Sequence, residues 1–276
     1  MAYAAKVIAD SVYSGSRLTT LEVTFPRIIL SEFNTHRVFS RNSASSRAIP
    51  IERQIELVMS DPFIPIYWGR NQSGMQALAE LSVLEEVEAR ASWLVARDNA
   101  VASARWFLEI GVHKQITNRL LEPFMWHTVV VSSTEWGNFF GLRKPPFRQI
   151  DPTFPAQPEI QKIAILMKEA MLKSSPVEFN LGDWHLPYFS FDVDTHGIDM
   201  AKKMSVARCA RVSYLRQNDE NAIDLDVALH DRLLSSGHMS PFEHVATPFV
   251  GNFFGNFKGW AQYRNELPFE SDYSLR

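Results

Sequence analysis

Apolar and β-branched residues crowd the stretch from Thr19 to Phe25, a composition fit for a strand, and Pro26 follows where a helix accepts proline, in its first turn. Helical spacing from Pro26 turns Ile28, Ile29 and Phe33 inward, leaving His36 and Arg37 at the helix end and Ser40 to Arg47 in a loop. Residues 61–74, rich in Pro, Gly and aromatics, read as an irregular loop. From Met75 to Ile110 apolar residues recur at helical spacing: Leu78, Leu81, Leu84, Val87, Ala91, Leu94, Val101, Ala104 and Phe107. This predicts a long amphipathic helix for core or subunit packing, or two helices broken near Asp98 and Asn99, with Gly111 as the stop. Met125 to Ser133 reads as a strand around Thr128, Val129, Val130 and Val131. Ser132 with Glu135 forms a capping-box pattern opening a helix that runs to Arg143. A helix from Ala156 places Ile160, Ile163, Leu166 and Met167 on one side.

Lys173 to Gly197 reads as a connection, and Ala222 to Ser236 as a helix with Leu225, Leu229, Leu233 and Leu234 as its apolar face and Gly237 as its stop. The tail from Gly251 to Arg264, glycines between aromatics, predicts an aromatic core strand followed by a helix, with a ligand-contacting loop as the alternative. Few strands and long helices make the expected fold class α+β, with a mixed sheet, in a single domain spanning residues 1–276.

Composition narrows the function classes. The chain has 276 residues, 46% hydrophobic and 21% charged, as an ordinary globular protein does. A net charge of -3 and a pI near 6.3 argue against nucleic-acid or membrane-surface binding, which need a basic face. No segment resembles a secretory leader or a membrane span, so the expected location is the cytoplasm. Cys209 is the only cysteine, which excludes an intramolecular disulfide and a cysteine-built metal site. Arg208 and Arg211 are near enough in sequence to lower its pKa, but a buried inert thiol is the favoured expectation. No G-x-G-x-x-G follows a strand and no Walker pattern occurs, so neither a Rossmann nor a P-loop site is indicated.

The chemistry concentrates in Thr35 to Arg47, which packs three arginines, one histidine and four serines into thirteen residues. Hydroxyls, loop amides and guanidinium forks in such a stretch suit a phosphate, although a solvated basic turn has the same composition. Asn138 and Arg143, five apart, could reach around one flat ligand. His238 and His244 flank a Ser-Pro pair, but a metal usually needs three or four ligands and no third is evident.

These segments resemble the flavin-dependent thymidylate synthase family. Its signature is Arg-His-Arg, seven residues, Ser, with an Asn in the gap and an Arg two residues after the Ser. His36, Arg37, Asn42, Ser45 and Arg47 fall in register, whereas Thr35, Ser43 and Ala48 stand where the family has Arg, Glu and Tyr. Arg119 and Pro123 match part of the family's Ala-Arg-x-x-Leu-Pro, from which Asn118 and Glu122 depart, and Asn138-Phe139-Phe140-Gly141-Leu142-Arg143 matches its Asn-Phe-x-x-Leu-Arg. Ala156 to Ile160 is similar to the family's Ala-Gln-x-Glu-Ile helix. Ala210-Arg211-Val212-Ser213-Tyr214 and His238-Met239-Ser240-Pro241-Phe242-Glu243-His244 match two further family motifs, but they follow the signature where the family has them before it, a circular permutation of motif order.

The resemblance implies a one-carbon transfer to C5 of dUMP without an enzyme cysteine nucleophile, using FAD, with methylene-tetrahydrofolate and NADPH as co-substrates. It implies Arg143 as the catalytic group polarising the pyrimidine, and Ser45, Arg47 and Arg119 on the nucleotide phosphate and sugar. His36, Arg37, Asn42, Asn138, Ser213, His238, Ser240 and Glu243 would surround FAD, in a site lying between subunits of a homotetramer. The substitutions at Thr35 and Ser43 leave open a related enzyme that adds a hydroxymethyl group, or a nucleotide-binding scaffold of the same fold that has lost the chemistry.

Overall fold

A computed structural model describes residues 2–189, 197–212 and 223–267. Strands β1 (Ala4–Tyr13) and β2 (Ser16–Pro26) form a hairpin that reverses at Ser14 and Gly15, whose φ angles are 47° and 78°. The left-handed conformation that a tight hairpin turn needs costs glycine least. A short 3-10 turn, Arg27–Ile29, leads into α1 (Leu30–Asn34), which buries Ile29 and Phe33 as their spacing predicts. Strand β3 (Ser40–Ser43) follows, then α2 (Ile51–Ser60), α3 (Val83–Glu109), α4 (Lys114–Thr117) and β4 (Trp126–Ser133). Beyond them come α5 (Gly137–Arg143), α6 (Pro158–Lys173), β5 (Val177–Glu178), α7 (Ile198–Arg211), α8 (Ile223–Ser235), β6 (Ala246–Phe254) and β7 (Phe257–Gln262).

The main sheet has the order β3-β4-β2-β1-β5, antiparallel except for the β1–β5 pair, and β6 with β7 makes a second, two-stranded sheet. Strand β4 is covered on both faces, which its unbroken run of valines requires. Val129 and Val131 join Leu21, Val23, Phe25 and the Ile160, Ile163, Met167 stripe of α6 in the largest core cluster. Val130 points the other way, onto Cys209 and Val212. The α+β fold with a mixed sheet is therefore as the sequence pattern predicts.

Several local expectations change in the tertiary structure. Ser40 to Ser43 is a strand instead of a loop, because β4 offers an open edge that pairs Ser40 with Ser132 and Ser43 with Val129. The long helix starts at Val83, not Met75, and runs unbroken: Ser82 caps it in a reciprocal capping box with Glu85. The residues before it fold back on themselves, with Arg70 N–H on Ala79 O at 2.7 Å and Leu81 N–H on Trp68 O at 2.9 Å. No capping box joins Ser132 to Glu135; Ser132 lies inside β4, Ser133 Oγ instead accepts the Glu135 amide at 3.0 Å, and α5 begins after Trp136. Part of the expected connection before Ile198 is the β5 strand, and the segment preceding Val212 is the helix α7.

The face of α8 differs from expectation at its start, while Leu233 and Leu234 pack against Val206 and Phe242 as their spacing predicts. Leu225 is 62% exposed while Asp226 and His230 are buried, since Asp226 pairs with Arg208 at 3.1 Å and Arg211 at 2.6 Å on α7. A buried ion pair thus displaces the first leucine of the stripe, Leu225, to the surface. The tail is a hairpin of two strands ending in a short 3-10 turn, Tyr263–Glu266, with Phe257 and Trp260 fully buried. Ser213, Tyr214 and Ala222 lie outside the described residues. No described helix is long and apolar enough to cross a membrane.

Candidate functional site

The end of α1 and the end of α5 meet at Arg143. Its Nε–H donates to His36 Nε2 at 3.1 Å, and its Nη2 donates to Thr35 Oγ1 at 3.4 Å, while the Thr35 hydroxyl donates to Glu32 O at 2.7 Å. The Glu32 carboxylate stands 4.0 Å away. Thr35 serves as a neutral anchor for this guanidinium. His36 is 6% exposed, edge-on to Phe139 at 4.9 Å and stacked with Phe39 at 5.7 Å. Burial lowers its pKa, the Arg143 charge lowers it further, a hydrogen bond with Asn138 opposes, and Arg41 adds to the lowering. His36 is therefore neutral near pH 7, and accepting at Nε2 fixes the proton on Nδ1. Arg41 reaches back to Phe33 O and His36 O, both at 3.4 Å, and so closes the open carbonyls of the α1 end. A cleft of about 290 Å³ beside this cluster is lined by His36, Arg37 and Asn138.

The second half of the signature faces another cleft, of about 530 Å³, which collects Asn42, Ser45, Arg47, Lys114, His238 and Ser240. Strand β3 turns Asn42 inward, where its Nδ2 donates to Cys209 O at 2.8 Å and its Oδ1 accepts from Ser240 Oγ at 3.1 Å. One side chain thereby joins the signature strand to α7 and to the His238–His244 segment. Gln262 Nε2 donates to Ser40 Oγ at 2.8 Å, a second tie between chain ends. Among the described residues no carboxylate lines this cleft, whereas Arg47, Lys114, His113 and His238 do. Such a surface, cationic and carrying serine hydroxyls, suits a phosphate. Lys114 and His113 were not singled out by the sequence; their only signal was position in a short polar block beside Arg119.

Other predicted site residues stand apart. Arg119 pairs with Glu122 at 2.6 Å and borders a different cleft, of about 520 Å³, together with Arg27. Glu243 is ion-paired with Arg264, and its charge is felt by Arg41. Ser213 lies outside the described residues. Cys209 is fully buried and burial pushes its thiol up, as expected of an inert cysteine; Arg208 and Arg211 turn to Asp226. For a flavin the donor set is dispersed: His36, Arg37 and Asn138 line one cleft, Asn42, His238 and Ser240 another, and Glu243 neither. Among the described residues of this chain they do not form a single flavin cradle.

The fold defines the class to which this chain is comparable: α+β proteins built on a mixed sheet with long packing helices. No family model matches the sequence, and no curated protein matches it. Among solved structures, the UMP/dUMP methylase PolB from Streptomyces cacaoi bound with 5-Br UMP aligns with a TM-score of 0.51 at 15% identity, over 62% of this chain and 89% of that one. The same methylase bound with 5-Br dUMP aligns with a TM-score of 0.48 at 14% identity, over 62% of this chain and 90% of that one. The first alignment shows a shared fold.

Proposed function

We propose that this protein is an enzyme that modifies C5 of a pyrimidine nucleotide, transferring a one-carbon unit to dUMP. The observation that carries the proposal is the cationic cleft, with no carboxylate among its described lining residues, in which Asn42, Ser45 and Arg47 of the signature meet His238 and Ser240 from the other end of the chain. That meeting agrees with a permuted motif order. The shared fold with a protein described as a UMP/dUMP methylase supports the same substrate class.

In this proposal Ser45, Arg47 and Lys114 hold the phosphate, and Arg143 acts on the base. A guanidinium directed at a pyrimidine carbonyl stabilises negative charge as it develops, which makes C5 nucleophilic without a covalent bond at C6. A thiolate route through Cys209 is disfavoured by its burial and raised pKa. FAD, methylene-tetrahydrofolate and NADPH enter the proposal through the family resemblance. The division of the site residues between separate clefts supports a site completed by a second copy in a homotetramer.

The test is to incubate the full chain with dUMP or UMP, methylene-tetrahydrofolate, FAD and NADPH, and to identify the nucleotide by mass. A gain of one methyl group supports the synthase reading, and a gain of one hydroxymethyl group selects the sister reaction. Unchanged nucleotides with no measurable binding of either would reject the proposal.

A further inference from the structure

Arg41 is the arginine of the Thr35–Arg47 segment to which the proposed reaction gives no part. Its neighbours along β3 are buried and tied to the other end of the chain: Ser40 accepts from Gln262 at 2.8 Å, and Asn42 accepts from Ser240 at 3.1 Å. Successive side chains of a strand point to opposite faces, so Arg41 turns the other way, under the end of α1. There its Nη1 donates to Phe33 O and His36 O, both at 3.4 Å. This guanidinium is half-buried, and among the described residues no carboxylate stands within ion-pair distance of it; Glu243, whose charge it feels, is paired with Arg264. Desolvation foremost lowers the Arg41 pKa, Glu243 opposes, and Arg37 adds to the lowering.

A charge drawn out of water onto two long hydrogen bonds is a net cost to stability. What it secures is the residue that carries the second carbonyl. His36 uses its ring Nε2 to accept the Arg143 Nε–H at 3.1 Å, so a turn of its backbone moves that bond directly. The charged groups facing His36 among the described residues are Arg143 from α5 and Arg41 from β3, while Asn138 hydrogen-bonds with the ring. We propose that Arg41 is a positioning residue for Arg143: its guanidinium pins the His36 carbonyl, the His36 ring then accepts from the Arg143 Nε–H, and the Arg143 fork is aimed before any ligand arrives. That the aimed fork acts on a pyrimidine rests on the proposed function; the aiming itself does not.

The Arg143 Nε–H reports the aim without any nucleotide, through nuclear magnetic resonance of the full chain carrying nitrogen-labelled arginine and histidine, its signals assigned with Arg143→Lys and His36→Gln. Arg41→Gln should speed solvent exchange of that proton about tenfold or more, because the bond to His36 opens more often. The His36 titration midpoint should rise in the same variant, since one of the cations that disfavour the imidazolium is gone. Arg41→Lys keeps the charge but not the planar fork, so it should leave the midpoint in place and still speed exchange. With dUMP, Arg41→Gln should lower kcat roughly tenfold and change KM by less than about twofold, as misalignment of a reacting group does. An arginine that only braces α1 would lower Tm and leave the Arg143 proton as slow as in wild type. Unchanged exchange in a folded Arg41→Gln, or in Arg41→Lys where the first variant fails to fold, would overturn the proposal, as would a turnover loss carried by KM alone. Absence of any pyrimidine turnover in the wild type would reject the proposed function, and the exchange rates would still decide the role of Arg41.

Discussion

Arg143 owes its orientation to neutral groups more than to a counter-ion, since His36 and Thr35 hydrogen-bond to it while Glu32 remains 4.0 Å away. A guanidinium held in this way keeps its charge available for a ligand. Arg143→Ala should lower nucleotide turnover by roughly 10²-fold or more with the fold intact, the usual scale for removing one preorganised donor; full turnover measured by product mass would remove it from the mechanism. The His36 link also predicts a pH dependence. Its folded pKa lies below the ordinary value of 6.5, so at neutral pH the ring is an acceptor, and protonation at lower pH removes the acceptor and sets two cations together. Turnover should therefore fall on the acid side with a midpoint below 6.5, and His36→Gln, which retains an acceptor, should lack that limb. An identical pH profile in the variant, measured where circular dichroism shows it folded, would disprove the coupling.

At the scale of elements, two features depend on close packing between segments distant in sequence. The chain reversal before α3 brings Gly69 opposite Ala77, where an added Cβ would meet the Ala77 Cβ at 2.2 Å. Gly69→Ala must push the two limbs apart, and a loss of about 1 to 3 kcal/mol is expected from such overpacking. Urea unfolding measures it, and a neutral result would mean that the reversal yields without cost. The α7–α8 pair depends on Asp226 between two arginines. Removing one member of a buried ion network leaves uncompensated charge, typically costing about 3 to 5 kcal/mol, so Asp226→Ala should be among the most damaging single changes in α8. An unaltered denaturation midpoint would contradict this. Since α7 also presents Cys209 O to Asn42, that variant should weaken the proposed nucleotide binding at Asn42, Ser45 and Arg47 as well.

Across the whole molecule, buried histidines tie the layers together. His185 accepts or donates with Ser11 and Thr20 on the main sheet, both at 2.8 Å, and Ser132 bonds to Thr20 at 2.6 Å and to His244 at 2.8 Å. Desolvation holds His185 and His244 down at about 3, and His127, beside Arg27, likewise at about 3. Each is protonated near 6.5 in the unfolded chain and neutral in the folded one. The unfolded state therefore binds more protons below 6.5, so the stability present at neutral pH is lost as pH falls towards 3. The slope is about 1.4 kcal/mol per pH unit for each histidine. Denaturant midpoints measured between pH 7 and pH 4 should fall steadily, and a flat profile would mean that these histidines titrate normally in the folded state.

The sequence by itself determined those features whose information is local. The valines of β4, the inward residues of α1, the Ile160–Ile163–Met167 stripe and the Gly237 stop all follow from periodicity and backbone preference, and all are found in place. It also marked Thr35 to Arg47 as the candidate chemical centre, because clustered cations and hydroxyls are visible in the sequence. Tertiary structure decided the rest, since each remaining feature depends on a partner far along the chain. Ser40 to Ser43 becomes a strand only because β4 has a free edge, and α8 turns Asp226 inward only because α7 supplies two guanidinium groups. Which cleft each signature residue faces, and the grouping of Asn42 with Ser240 and of His36 with Arg143, required contacts spanning 198 and 107 positions. Local propensity carries no term for such distant pairings, whose free energy arises only when the sheet and its covering helices have closed.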